Sequence, residues 1–178
     1  MKKLVFLFLT LITSIEVSAQ ETQNVWRANF INPGFEYEHT ITPESTFSLN
    51  IGVGYSGAYP NLSTTSFQTG GLYAIAPFAD LQWKQFYNLQ KRANQNKVTD
   101  DNSGNFISIR FRTRGKSIDD NFIRKANYDF AIGPTWGIQR SFGNFHLLVD
   151  IGPQFYFDSD GNSGFWPLMP QINFGFNL

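Results

Sequence analysis

The chain has no cysteine, little charge and, beyond its first nineteen residues, no apolar run long enough to cross a bilayer as a helix. Without cysteine, a disulfide scaffold and a cysteine-ligated metal site are excluded. Without an apolar stretch of about eighteen residues, a helical membrane protein is excluded. Charged residues make up only 16% of the chain, and the formal net charge is zero. Setting aside Lys2, Lys3 and Glu16 leaves 12 basic and 13 acidic residues, so there is no basic surplus for a nucleic-acid partner. What the chain does have is aromatic side chains, 17% of residues, with phenylalanine alone occurring 19 times. So many aromatics with so little charge need either a very large core or a lipid-facing surface. A chain of this length accommodates the second more easily.

The N-terminus reads as an export signal over residues 1–19. Lys2 and Lys3 form a positive start, Leu4 to Ile12 an apolar run, and Val17-Ser18-Ala19 a small-residue cleavage site. The remaining segment, 20–178, is expected to form one domain. No cysteine follows the cleavage site, so no lipid anchor is expected there.

Strand periodicity dominates the rest. From Trp166 to Leu178 the pattern alternates, with Trp166, Leu168, Pro170, Ile172, Phe174, Phe176 and Leu178 on one parity and Pro167, Met169, Gln171, Asn173, Gly175 and Asn177 on the other. Successive strand residues point to opposite faces, so one face is apolar and the other small or polar. The same alternation occupies Gly34–Ile41, Phe47–Ser56, Tyr73–Lys84, Ile107–Arg112, Tyr128–Gln139 and Phe145–Phe157. That makes seven strands. A closed barrel wants an even number, and Thr22–Ile31 is the expected eighth. Its phase flips at Asn32-Pro33-Gly34, which reads either as a tight hairpin or as a kink in one long strand. The expected fold is therefore all-β, an antiparallel up-and-down transmembrane β-barrel of eight strands.

Transmembrane barrels keep short turns on the periplasmic side and longer loops outside. The turns Thr42–Ser45 and Ser141–Asn144 then lie in the periplasm with Leu178, and the loops 57–70, 115–126 and 158–164 face outward. The connection 88–105 breaks this rule, being long yet periplasmic.

The parity assigns faces. Phe130, Ile132, Leu147, Val149, Ile151, Phe174 and Phe176 are expected to meet lipid. Glu36, Glu38, Asp80, Lys84, Arg110, Arg112, Asp129 and Asp150 are expected in the lumen, with Arg114 and His146 near its ends. An eight-stranded barrel is just wide enough to be filled by side chains, and isolated buried charges are very costly. A plug of paired charges is thus favoured over an ion path.

Three sharper chemistries have weak support. A lipid-modifying enzyme would need a nucleophile and base in contact, yet His39 sits beside a turn and His146 points into the lumen, neither with an evident serine partner. The run Asp158-Ser159-Asp160-Gly161-Asn162 suggests a calcium loop but lacks the distal glutamate, so a polar hairpin loop is expected. Lys91, Arg92 and Lys97 form a small basic cluster that reads as a solvated connection. No cofactor or metal is expected.

The signal MKKLVFLFLTLITSIEVSAQ, the segment NPGFEYEHTITPESTFSLNIGVGY, the connection FYNLQKRANQNK with NSGNF after it, and the terminus INFGFNL resemble small outer-membrane β-barrel proteins of Bacteroidota-type bacteria, in the broad OmpA/OmpX-like group. Leu178 replaces the phenylalanine common at this terminus. The resemblance implies an integral outer-membrane location and lipid as surroundings. It also implies assembly by the barrel-assembly machinery, acting through the C-terminal strand. It is silent on activity. The expected role is non-enzymatic, with external loops serving surface contact or membrane integrity. A narrow pore for ions or small solutes is the alternative.

Overall fold

The computed structural model describes residues 21–64 and 71–178; the export signal lies outside the described residues. Eight antiparallel strands form a ring closed by pairing of the first with the last. In chain order they are β1 (Val25–Asn29), β2 (Gly34–Thr42), β3 (Ser45–Ser56), β5 (Ala74–Phe86), β6 (Asn105–Arg114), β9 (Asp129–Phe142), β10 (Phe145–Asp158) and β11 (Ser163–Asn177). Each pairs with its neighbour in sequence, and β1 pairs with β11 to close the ring. The ambiguous phase flip at Asn32–Pro33 resolves as a hairpin: Trp26 faces Tyr37 and Ala28 faces Phe35 across β1 and β2. Three short strands lie in the loops. β4 (Ser63–Thr64) pairs with β8 (Ile123–Arg124), tying two loops together, and β7 (Asp119–Asp120) extends the edge beside β5.

The ring is staggered. Successive partners from Arg27 run through Glu36, Asn50, Asp80, Arg112, Ala131 and Tyr156 to Gly164 of β11. Arg27 itself pairs with Asn177 at the other end of that strand. Such stagger is the shear that tilts the strands and lets a sheet close. Where β9 and β10 cross the two prolines Pro134 and Pro153, the ladder is interrupted. There Gly152 is required: a Cβ on it would lie 2.0 Å from the carbonyl oxygen of Pro134.

The alternation in β11 is broken once. Ile151 pairs with Pro170 and Gly152 with Met169, but Gln154 pairs with Trp166 and Phe155 with Phe165. The extra residue is a bulge. It places Trp166 on the inward parity with Gln154, so the unbroken outward run expected from Trp166 starts instead at Leu168.

The ring has a turn end and a loop end. At the turn end are Thr42–Ser45, Gly143–Asn144 and Leu178. The connection 87–104 lies here too, and it is more than a solvated link. It carries helix α1 (Leu89–Ala93) and a 3-10 turn over Asp100–Asn102, and it folds into the barrel mouth. Leu89 packs with Phe86, Phe106 and Leu148 inside the ring. Asp101 and Asn102 adopt φ of 52° and 63°, a left-handed conformation that Asp and Asn tolerate better than most residues. This reversal aims the Asp101 carbonyl into the lumen. Asn102 exchanges two bonds with the backbone of Gln23 (2.6 and 2.8 Å), and Ser103 Oγ accepts from the Ser141 amide at 2.7 Å. The loop end is closed by Tyr59 and Leu62, packed on Ala131, Tyr156 and Met169.

Candidate functional site

The lumen holds the titratable chemistry of the molecule in three layers. Nearest the turn end, Arg27 of β1 faces Glu36 and Glu38 of β2. Its Nη1 lies 3.2 Å from Glu36 and 2.5 Å from Glu38, Nε donates to Asn177 at 3.1 Å, and Nη2 donates to the Asp101 carbonyl at 3.0 Å. Lys84 Nζ stands 3.4 Å from both carboxylates and donates to Gln139 at 3.0 Å. Thr46 and Gln139 donate to Glu38 as well. Two cations thus balance two carboxylates, and Arg27 links three strands to the cap. None of these charged side chains is more than 3% exposed.

In the middle layer Arg110 Nε donates to both oxygens of Asp80 at 2.9 Å, and its Nη1 lies 3.7 Å from Asp150. Gln82 donates to Asp150 at 3.0 Å and to Ser108 at 2.9 Å. Two carboxylates here share one guanidinium.

At the loop end the balance reverses. Arg114 grips Asp129 with two bonds (2.7 and 2.8 Å) and stacks 4.4 Å over the Tyr59 ring. Arg124 reaches the same carboxylate at 2.7 Å. Arg112, directly opposite Asp80 on the neighbouring strand, makes no ion pair among the described residues. It lies 5.1 Å over the Phe78 ring, and its Nε is buried without a hydrogen-bond partner.

The residues assigned inward by parity thus sit as follows. Glu36, Glu38 and Lys84 meet in the first layer, Asp80, Asp150 and Arg110 in the second, and Asp129 in the third. Arg112 shares the lumen but stays outside the ion pairs. Sequence reading missed Arg27 and Arg124, and it put Gln82 and Gln139 on the inward parity of their strands without giving them a role. Carrying the parity through Trp26 and Ala28 would have turned Arg27 inward. Nothing in the sequence marks Arg124, whose position depends on the loop-to-loop pairing of β4 and β8.

Comparison with known proteins finds no matching family, no matching curated protein and no matching solved structure. The chemistry therefore rests on the geometry. His39 is exposed and bonds Asn24 at 3.0 Å; His146 is fully buried, and neither ring nitrogen has a hydrogen-bond partner among the described residues. Among the described residues neither imidazole hydrogen-bonds a serine, although His146 lies opposite Ser141 across the β9–β10 ladder. In the Asp158–Asn162 loop, Asp158 is turned onto its own hairpin, accepting from the amides of Asp160 and Asn162 at 3.0 and 2.8 Å and from the Asn162 side chain at 2.8 Å. Arg92 closes its own connection by donating twice to the Val98 carbonyl. On the exposed loop end, Tyr73 donates to Asp119 at 3.1 Å, a bond that holds its phenol above the ordinary pKa.

Proposed function

We propose that this chain is an integral outer-membrane β-barrel without enzymatic activity, plugged by its own side chains, whose external loops serve surface contact or membrane integrity. The observation that carries this reading is an inside-out distribution of polarity. Arg27, Glu38 and Lys84 are 0% exposed, while Ile109 is 55% exposed, Ile132 41%, Ile151 39% and Phe174 37%. Phe130, Leu147, Val149 and Phe176 are partly exposed on the same outer face. Water as the surrounding solvent would favour the reverse, with charged side chains outside and large apolar ones inside. Lipid favours it as found, and the ring pairs each of the eight strands with a neighbour on both sides over at least part of its length, which suits hydrocarbon better than an open sheet with two free edges.

The plug reading is supported by the paired layers and by the cap across the turn end. It contrasts with a narrow pore, which needs a continuous wet path. Fractionation with the outer membrane, together with heat-modifiable mobility in detergent gels, tests the location; recovery as a soluble periplasmic protein overturns it. Planar-bilayer recording tests the plug. Little or no steady conductance is expected, and large regular single-channel steps would establish the pore instead.

A further inference from the structure

Among the described residues, the strand ladder of the ring is incomplete at the loop end. β1 and β2 form a short hairpin. It meets β11 only at Gly175–Asn177, with one further bond from the Phe30 amide to Phe174, and meets β3 no higher than Gly52 and Val53. Beyond it β3 continues to Ser56 and β11 to Ser163. Among the described residues no backbone hydrogen bond joins β11 between Ser163 and Asn173 to anything on the hairpin side.

The turn that ends this hairpin, Phe30-Ile31-Asn32-Pro33, exposes two large apolar side chains. Phe30 is 49% and Ile31 51% exposed at its tip, where a turn in water is normally polar. On the reading of the chain as a membrane barrel, the tip stops inside the hydrocarbon and the gap opens sideways into the outer leaflet. The free edge also carries Pro167 and Pro170, which have no N–H to offer another strand. Behind the gap lies a cavity of about 190 Å³, lined by Ala58, Tyr59, Trp166, Met169, Pro170 and Arg114. The Tyr59 hydroxyl contacts Met169 sulfur at 3.9 Å, and Asn61 donates to the Ser163 carbonyl at 3.0 Å.

We propose that this opening is a lateral binding site for a single-chain anionic amphiphile dissolved in the outer leaflet. The chain lies in the gap against Trp166 and Met169, and the anionic head meets Arg112. The head group follows from charge. Arg114 and Arg124 share the single carboxylate Asp129, while Arg112, which faces the Asp80 already gripped by Arg110, has no ion pair among the described residues and an unbonded Nε. It stands one inward position along β6 from Arg114, which lines the cavity. A planar guanidinium with free donors suits a carboxylate. The single chain follows from volume, since the cavity is below the ~300–1,000 Å³ of sites that enclose larger ligands.

This inference rests on the barrel reading, and the test separates the two. A nitroxide-labelled long-chain fatty acid is titrated against the full chain folded in phosphatidylcholine vesicles, with its uncharged methyl ester as comparison. Saturable one-site binding is expected. Arg112→Gln and Met169→Trp should each weaken it at least tenfold, and Ile109→Trp, on the opposite wall, should leave it unchanged. Heat-modifiable mobility monitors the barrel in every sample. Non-saturable partitioning, equal binding of acid and ester, or binding unaffected by both variants with mobility intact overturns the site. Loss of heat-modifiable mobility in the wild-type chain overturns the barrel reading itself.

Discussion

Arg110 reaches past the residue it faces: its cross-strand partner on β5 is Gln82, yet its guanidinium closes on Asp80, whose own partner across the strands is Arg112. The diagonal grip lets Arg110 also approach Asp150, and it strands Arg112. Removing Arg110 would leave two buried carboxylates uncompensated, so Arg110→Ala should lower folding stability by ~3–5 kcal/mol. Arg112→Ala, which breaks no ion pair, should cost ~1 kcal/mol or less. Urea titration of vesicle-inserted protein, followed by tryptophan fluorescence, gives both values, and the reverse ranking would refute the pairing described.

The outer face makes a second prediction. Ile151 is exposed on the apolar wall, and arginine near the middle of a bilayer costs ~2–4 kcal/mol on such a face. Ile151→Arg should therefore fold in detergent but lose that much on transfer to vesicles. Its neighbour responds to packing alone. Gly152→Ala would bring a Cβ against the Pro134 carbonyl, and so should destabilise equally in detergent and lipid.

The cap should control conductance. Asp101 and Asn102 hold left-handed backbone that aims a carbonyl at Arg27 and Gln139. Valine is strained there because its branched Cβ clashes at positive φ. The double substitution Asp101→Val with Asn102→Val should loosen the cap and turn a silent barrel into one with intermittent leak in planar bilayers. A variant as silent as wild type would show that the charge layers seal the lumen without the cap.

His146 gives a prediction of opposite sign. Both ring nitrogens are buried without hydrogen-bond partners, a state that costs free energy. His146→Leu removes both groups while keeping similar volume beside Leu148. It should leave stability unchanged or raise it by up to ~1–3 kcal/mol. A clear loss would mean the imidazole is hydrogen-bonded in the folded protein.

Much of the ring was legible because strand periodicity needs no tertiary information. In β9 and β10 the outward Ile132, Leu147 and Ile151 and the inward Asp129 and Asp150 alternate over fourteen residues each, long enough for the phase to be unmistakable. β1 has only five residues, too few for a period of two to stand out, so Arg27 went unread although it sits at the centre of the turn-end layer. In β11 the bulge hid because Trp166, Pro167 and Leu168 are all apolar, and either phase fits them.

By itself the sequence determined the strand type, the eight-strand count once the short hairpin is granted, and which side chains face the lumen outside β1 and the bulged end of β11. Those follow from alternation and from turn residues, which act over a few positions. Which lumen charges pair, the folding of 99–104 into the mouth, the joining of two loops through β4 and β8, and the gap between β3 and β11 were decided only in three dimensions. Each depends on shear and on relative strand length, which set the height at which one strand's residues meet another's. Asp80 is adjacent to Arg112 in the ladder and bonded to Arg110 in space, because a guanidinium at the end of a long side chain settles where carboxylates converge.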